Sequence, residues 1–198
     1  MIEAQLIEGS VMSARAATLV FVAIASALVT ACSATTHMEA NPSGTISGMA
    51  PLPLTVTSED FADGTDLTPT HAGCHGDNLN PQISWSEGPE GTVSYAIVMS
   101  DPDARYDHWL HVNIPLRVTS IERGGSTNLQ GVHGQNSHRD LDYYGPCPPS
   151  QHHYVFTVYA LDVTLDASET LVVASFLQEI EGHVLAQGSI MGLYPADS

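Results

Sequence analysis

The sequence contains no lysine, and its only strong cations are five arginines: Arg15, Arg105, Arg117, Arg123 and Arg139. Against them stand 22 Asp and Glu, for a net charge of −17. Phosphate backbones are held by clusters of Lys and Arg, so nucleic acid is excluded as a partner. The same shortage excludes electrostatic docking onto anionic lipid headgroups. No apolar run reaches the roughly 20 residues that a membrane-spanning helix needs. There is no Gly-x-Ser-x-Gly elbow, no His-Glu-x-x-His, no Walker loop and no Cys-x-x-Cys, which removes the best-marked hydrolase, metalloprotease, nucleotide and redox frameworks. At 198 residues the chain has room for one well-packed domain with accessory segments.

The N-terminal quarter has its own logic. Residues 16–31 (AATLVFVAIASALVTA) are almost wholly apolar and follow Arg15, as in the core of an export signal. Glu3 and Glu8 are foreign to a basic signal start, so translation is expected to begin at Met12. Leu28-Val29-Thr30-Ala31-Cys32 resembles a bacterial lipobox, which makes Cys32 the lipid-bearing residue. The alternative is ordinary cleavage after Ala31. The expected organisation is a signal peptide over 1–31, a flexible lipid-anchored tether over 32–52 and one domain over 53–198. Removing residues 1–31 leaves 20 acids against four arginines, a charge near −16. Location is therefore extracytoplasmic, in a bacterial envelope, lipid-anchored or periplasmic. In such an oxidising compartment Cys74 and Cys147 form a disulfide, or else two buried free thiols.

Beyond Pro51 the pattern is of short strands between turn clusters. Residues 92–100 (TVSYAIVMS), 109–115 (WLHVNIP) and 154–163 (YVFTVYALDV) read as buried strands. Gly124-Gly125-Ser126 and Gly145-Pro146-Cys147-Pro148-Pro149 mark loops between them. The expected fold is mostly β, an antiparallel two-sheet sandwich with one C-terminal helix. Asp166 is expected to precede and cap that helix, with Glu169 three residues on, and the helix to carry Val173, Leu177, Ile180 and Val184 on one face, with Gly182 bending or ending it.

Ten histidines raise the question of zinc. His108 with His111, and His152 with His153, lie on strands whose side chains alternate faces, so neither pair converges on one ion. The cluster Asp101-Pro102-Asp103 with Asp107 lacks the glycine of a calcium loop and contains Arg105. No metal and no cofactor are expected. Parity instead groups His152 and Tyr154 with Phe156 and Val158, His108 with Leu110, Val112 and Ile114, and Asp101 with Tyr95, Ile97 and Met99. Each of the three segments then carries ionisable groups at a strand end, where sandwiches often hold sites.

Several motifs follow one another in order: Gly73-Cys74-x-Gly76-x-Asn78-x-Asn80-Pro81, Trp85, Asp101-Pro102-Asp103-Ala104, His108-Trp109, Asn113-Ile114-Pro115, Tyr144-Gly145-Pro146-Cys147-Pro148-Pro149 and His153-Tyr154. Together, from about Leu54 to Tyr194, the chain resembles the phosphatidylethanolamine-binding protein family. It is most similar to the bacterial branch, akin to Raf kinase inhibitor-like proteins. The resemblance implies a two-sheet β-fold with a small pocket for phosphate-like anions. Its walls would be Asp101, Asp103, His108, the Gly145–Pro148 backbone, His152 and Tyr154. Imidazoles, a phenol and backbone N–H groups donate to phosphate oxygens. The carboxylates orient a histidine or receive the ammonium of a zwitterion. Two departures stand out: Arg105 where the family commonly has proline, and His153 where it has arginine.

The leading functional expectation is an envelope-anchored binding protein for a small anionic or zwitterionic, phosphate-containing ligand or lipid headgroup. Such a protein would not be an enzyme and would meet the membrane through its lipid alone. The alternatives are an interaction module inhibiting an envelope enzyme, with a protein partner, and a phosphoester hydrolase using His108 or His152 as base near Asp103. Protein purified from its own membranes should begin at Cys32 with a lipid-blocked terminus, read by intact mass. An unmodified Cys32 terminus would show ordinary cleavage instead.

Overall fold

A computed structural model of the chain describes residues 50–194, so the signal segment, Cys32 and nearly all of the tether lie outside the described residues. The strands in chain order are β1 (Leu52–Pro53), β2 (Val56–Thr57), β3 (Thr65–Asp66), β4 (Ile83–Trp85), β5 (Ser94–Asp101), β6 (Tyr106–Pro115), β7 (Ser120–Ile121), β8 (Val132–His133), β9 (His152–Leu161) and β10 (Val184–Tyr194). One helix, α1 (Val173–Glu179), precedes β10. The main sheet runs β1-β10-β9-β5-β6-β8, with β3 also paired to β10, and the smaller sheet runs β2-β4-β7. Its central pairs are antiparallel, but β1 and β3 lie parallel to β10. Leu52, placed in the tether by sequence, is already paired with Ala186.

Apolar alternation builds two cores, one on each face of the main sheet. Tyr95, Ile97 and Met99 of β5 meet Phe156 and Val158 of β9, Trp109 of β6, and Ile83 and Trp85 of the small sheet. On the other face, Ala96, Val98, Leu110 and Val112 pack beneath Val173, Phe176 and Ile180 of the α1 region. Phe176 has no exposed surface, which contributes on the order of 2 kcal/mol.

Three local expectations are corrected. The helix begins seven residues later than Asp166. Val172 is extended at its start and offers no side-chain cap, while Ser168 and Thr170 hydrogen-bond each other instead. Gly182, at φ 83°, ends the helical turn, and Val184 belongs to β10 rather than to the helix. Strand β10 was not expected at all: Gly188 and Gly192 dilute its alternation. A Cβ at Gly188 would run into the Leu54 carbonyl and one at Gly192 into the Leu67 side chain, so both close approaches need glycine.

The third correction concerns β6. Tyr95 pairs with Ile114 but Ile97 with His111, and Met99 pairs with Trp109 but Ser100 with Asp107. Each jump inserts one extra residue in β6. At the first, Asn113 adopts φ 58° and is clamped both ways to Leu165, by Nδ2–H to its carbonyl and by Oδ1 from its N–H, each at 2.9 Å. Ile114 therefore packs with Trp109 in one core, while Leu110 and Val112 pack in the other. At the second, His108 is the extra residue, so it leaves the face of Leu110 and Val112 and approaches Tyr154, with ring centroids 5.2 Å apart.

Cys74 and Cys147 form a disulfide across 73 residues of sequence, with Cα atoms 5.2 Å apart. Replacing both by serine should lower unfolding stability by roughly 4 kcal/mol on the loop-entropy account, measured by urea denaturation. A loss under about 1 kcal/mol would contradict it.

His111 is fully buried, donates Nε2–H to the Gln130 carbonyl and accepts at Nδ1 from His133. Burial first, then the neighbouring His133, lowers its pKa to about 4. The unfolded chain binds that proton near pH 6.5, so the neutral ring's contribution is intact above that pH. It is lost as pH falls from about 6.5 towards 4, by roughly 3 kcal/mol in all. An NMR titration should place the His111 midpoint near 4 and not near 6.5.

Candidate ligand-binding site

The ends of β5, β6 and β9 bring together most of the residues singled out by sequence. Asp101 closes β5 and is 3% exposed. Its Oδ1 accepts the Ala104 N–H at 2.9 Å and its Oδ2 accepts from Nδ1 of His152 at 2.7 Å. The Tyr154 hydroxyl also bonds Asp101. Ala104 belongs to a tight turn that ends at Arg105, whose φ of 53° is left-handed. A proline, fixed near −65°, could not adopt that backbone, so the arginine is part of a different turn and not a simple exchange.

Asp103 stands further out, with its side chain 41% exposed. Its Oδ2 accepts both the backbone N–H of His153 and the His153 ring Nδ1, each at 2.8 Å. Those two bonds, the backbone one first, lower its pKa. His152 and His153 point to separate carboxylates, as strand alternation requires. Donor atoms of Asp101, Asp103 and His152 all lie within 4.8 Å of one another, a set with the composition of a metal site. The sequence offers the histidine pairs and the Asp101-Pro102-Asp103 cluster separately and does not show that His152 joins the two aspartates.

His108 is 4% exposed and gives Nδ1–H to the Tyr144 carbonyl at 2.6 Å. Burial is the main cause of its lowered pKa, with His152 adding to it against the opposing pull of the Tyr144 carbonyl and Asp101. The ring is therefore neutral at pH 7, with a bare lone pair on Nε2. Burial, followed by the Asp101 charge, raises the Tyr154 hydroxyl, which stays protonated and serves as a donor.

Around His108 lies an aromatic wall that sequence reasoning left out of the site. Tyr106 is tilted against its ring at 4.8 Å, Tyr144 lies parallel to it at 6.2 Å, and His138 stacks on Tyr144 at 4.3 Å. Tyr144 was legible in the Tyr144-Gly145-Pro146 motif, and Tyr106 in its place two residues before His108. Buried Asn136 ties this segment in place through the carbonyls of His108 and Asp142.

The Gly145–Pro148 backbone differs from the expectation. Gly145 N–H is already given to Oδ1 of Asn78 at 2.7 Å, and prolines 146 and 148 have no N–H. Gly145 thus fastens the wall to the Gly73–Asn78 loop, where Gly73 N–H bonds the Pro146 carbonyl at 2.9 Å. Pro148 is half-buried and makes no hydrogen bond to the cluster. A separate hollow of about 520 Å3 is lined by Asn78, Thr127, His133, Asp140, Asp142 and Glu169 among others, and by none of Asp101, Asp103, His108, His152 or Tyr154.

Comparison with known proteins fits this geometry. Residues 57–195 match the family profile described as phosphatidylethanolamine-binding protein. A UPF0098 protein of Methanothermobacter thermautotrophicus is 38% identical over 134 residues, covering 64% of this chain and 89% of the relative. A Mycobacterium tuberculosis protein named as a lipoprotein, LppC, is 35% identical over 154 residues, 72% of each. The crystal structure of Escherichia coli YbcL, titled a member of the mammalian PEBP family, superposes with TM-score 0.67 at 31% identity, over 72% of this chain and 98% of that one. A profile match over most of the chain, a shared fold and these identities agree: the chain belongs to the phosphatidylethanolamine-binding protein family.

Proposed function

We propose that the protein is a binding protein of the cell envelope for a small phosphate-containing ligand, zwitterionic or anionic, free or as a lipid headgroup. The observation that carries this reading is the state of the two imidazoles. His108 and His152 each have Nδ1 committed, to the Tyr144 carbonyl and to Asp101, which leaves Nε2 of each for an incoming group. A phosphate monoester with a second pKa near 6 can pass a proton to a neutral imidazole and so form a charge-assisted bond. Asp103 at the rim and the faces of Tyr106 and Tyr144 suit the ammonium end of a zwitterion.

Binding is favoured over turnover because no serine, threonine or cysteine side chain bonds any of the five clustered groups among the described residues. The relatives carry no enzymatic name. The envelope location rests on the residues around Cys32 and on the lipoprotein name of the mycobacterial relative.

Millimolar phosphoethanolamine should shift the ring signals of His152 and His108 in NMR spectra. Affinity should rise as pH falls from 7.5 towards 6, because the complex takes up a proton that free His108 does not hold. His152→Ala should weaken binding about tenfold or more. Unchanged His signals in a folded protein would discard the reading, as would a protein partner whose capture survives His152→Ala while phosphoethanolamine fails to bind.

A further inference from the structure

We propose that Asp101, Asp103 and His152 hold a divalent cation of the Zn2+ or Mn2+ class, and that the phosphate group is bound through it. This rests on the reading of the cleft as a phosphate site and names what balances its charge.

The first observation is a set of donors already gathered. One atom from each of the three side chains lies within 4.8 Å of the other two. Ligands about 2.0–2.2 Å from such an ion sit roughly 3–4 Å apart, so closure needs a movement of at most about 1–2 Å. Exposed Asp103 can make it, whereas buried Asp101 stays fixed by the Ala104 N–H and the Tyr154 hydroxyl. Those donors, with the His153 N–H on Asp103, are the kind of outer contacts that orient ligands around a metal. If neutral His152 binds through Nδ1, its one ring proton passes from Nδ1 to Nε2 by exchange with water as the ion enters, so the ring stays neutral and no proton is lost. Two oxygens and one imidazole suit Zn2+ or Mn2+ better than Ca2+ or Mg2+, which prefer oxygen alone.

The second observation is independent of that spacing and concerns the phosphate. The partners of the two carboxylates are a backbone amide, a phenol and histidines, with no arginine among them. The chain has no lysine and a net charge of −17. Of the four described arginines, Arg123 is held by Asp60 and Arg117 by Gln130, while Arg105 in the neighbouring turn and Arg139 form no ion pair with Asp101 or Asp103. A phosphate entering beside Asp101 and Asp103 therefore meets two like charges, and a bound cation would turn that repulsion into attraction. Other His–Asp pairs, such as His183 with Asp162 at 2.8 Å, repeat the hydrogen bond without a third donor.

The test uses chelator-treated mature protein with Mn2+ and inorganic phosphate as probes. Mn2+ should broaden the NMR signals of His152 and Asp103 before any others. Asp103→Asn, an exposed change, should weaken Mn2+ binding roughly 10- to 100-fold, while Asp162→Asn leaves it unchanged. Phosphate should bind at least about tenfold tighter with Mn2+ than with EDTA. Broadening elsewhere, or wild-type affinity in Asp103→Asn, overturns the site. Phosphate affinity equal in EDTA overturns the cation's role and leaves the binding function standing. Absence of phosphate binding in both conditions overturns the coupling together with the phosphate reading.

Discussion

The pairing of β5 with β6 sets on which face of the sheet His108 stands, and so whether it meets the groups that β5 and β9 bring to the cleft. Strand β6 carries extra residues at two places, and Asn113, clamped to Leu165, holds one of the shifts open. Without the shift at His108, that ring would share the face of Leu110 and Val112 beneath α1, on the wrong side of the sheet. With it, His108 and Trp109 serve one face: Trp109 fills the core between the sheets while His108 lies against Tyr154. The bulge thus converts a packing strand into one that also presents a base. Its cost is a locally broken ladder, which the Tyr144 N–H offsets in part by bonding the His108 carbonyl at 3.1 Å.

Much of this was legible in the sequence, for reasons that can be named. β5 and β9 are rich in β-branched and aromatic residues and pack on both faces, so their alternation sorts side chains correctly. The Asp101-Pro102-Asp103 turn and the His152-His153-Tyr154 start of β9 placed ionisable groups at strand ends, and the structure joins them. What alternation cannot show is an inserted residue, because a single bulge reverses the parity of everything beyond it. That is why His108 was assigned to the wrong face. Strand β10 escaped notice because its glycines answer to neighbouring segments rather than to its own periodicity. The helix starts later than the sequence suggests because Asp166 and Glu169 satisfy a capping pattern in a stretch whose later residues bond elsewhere, the Leu171 carbonyl accepting the Gln135 N–H.

For the phosphate ligand proposed above, the site would be an unusual host. Its two carboxylates are well satisfied, one buried and one at the rim, and burial keeps the His108 ring neutral. Such a cleft discriminates by protonation and by pairing opposite charges within one ligand, not by a positive field. The exchange of arginine for His153 fits that character. Where a guanidinium would bring fixed charge, His153 spends both its donors on holding Asp103.

The bridge between Cys74 and Cys147 has a consequence for when the protein becomes competent. It links the two loops that also meet through Gly73, Asn78 and Gly145, and one of them is the flank of the cleft. A newly made chain in a reducing cytosol has only the weaker, reversible fastenings, and the covalent one appears where an oxidant is at hand. If the chain is exported as proposed, maturation of the cleft is timed to arrival in an oxidising compartment, and a molecule retained inside would carry the same residues in a looser frame.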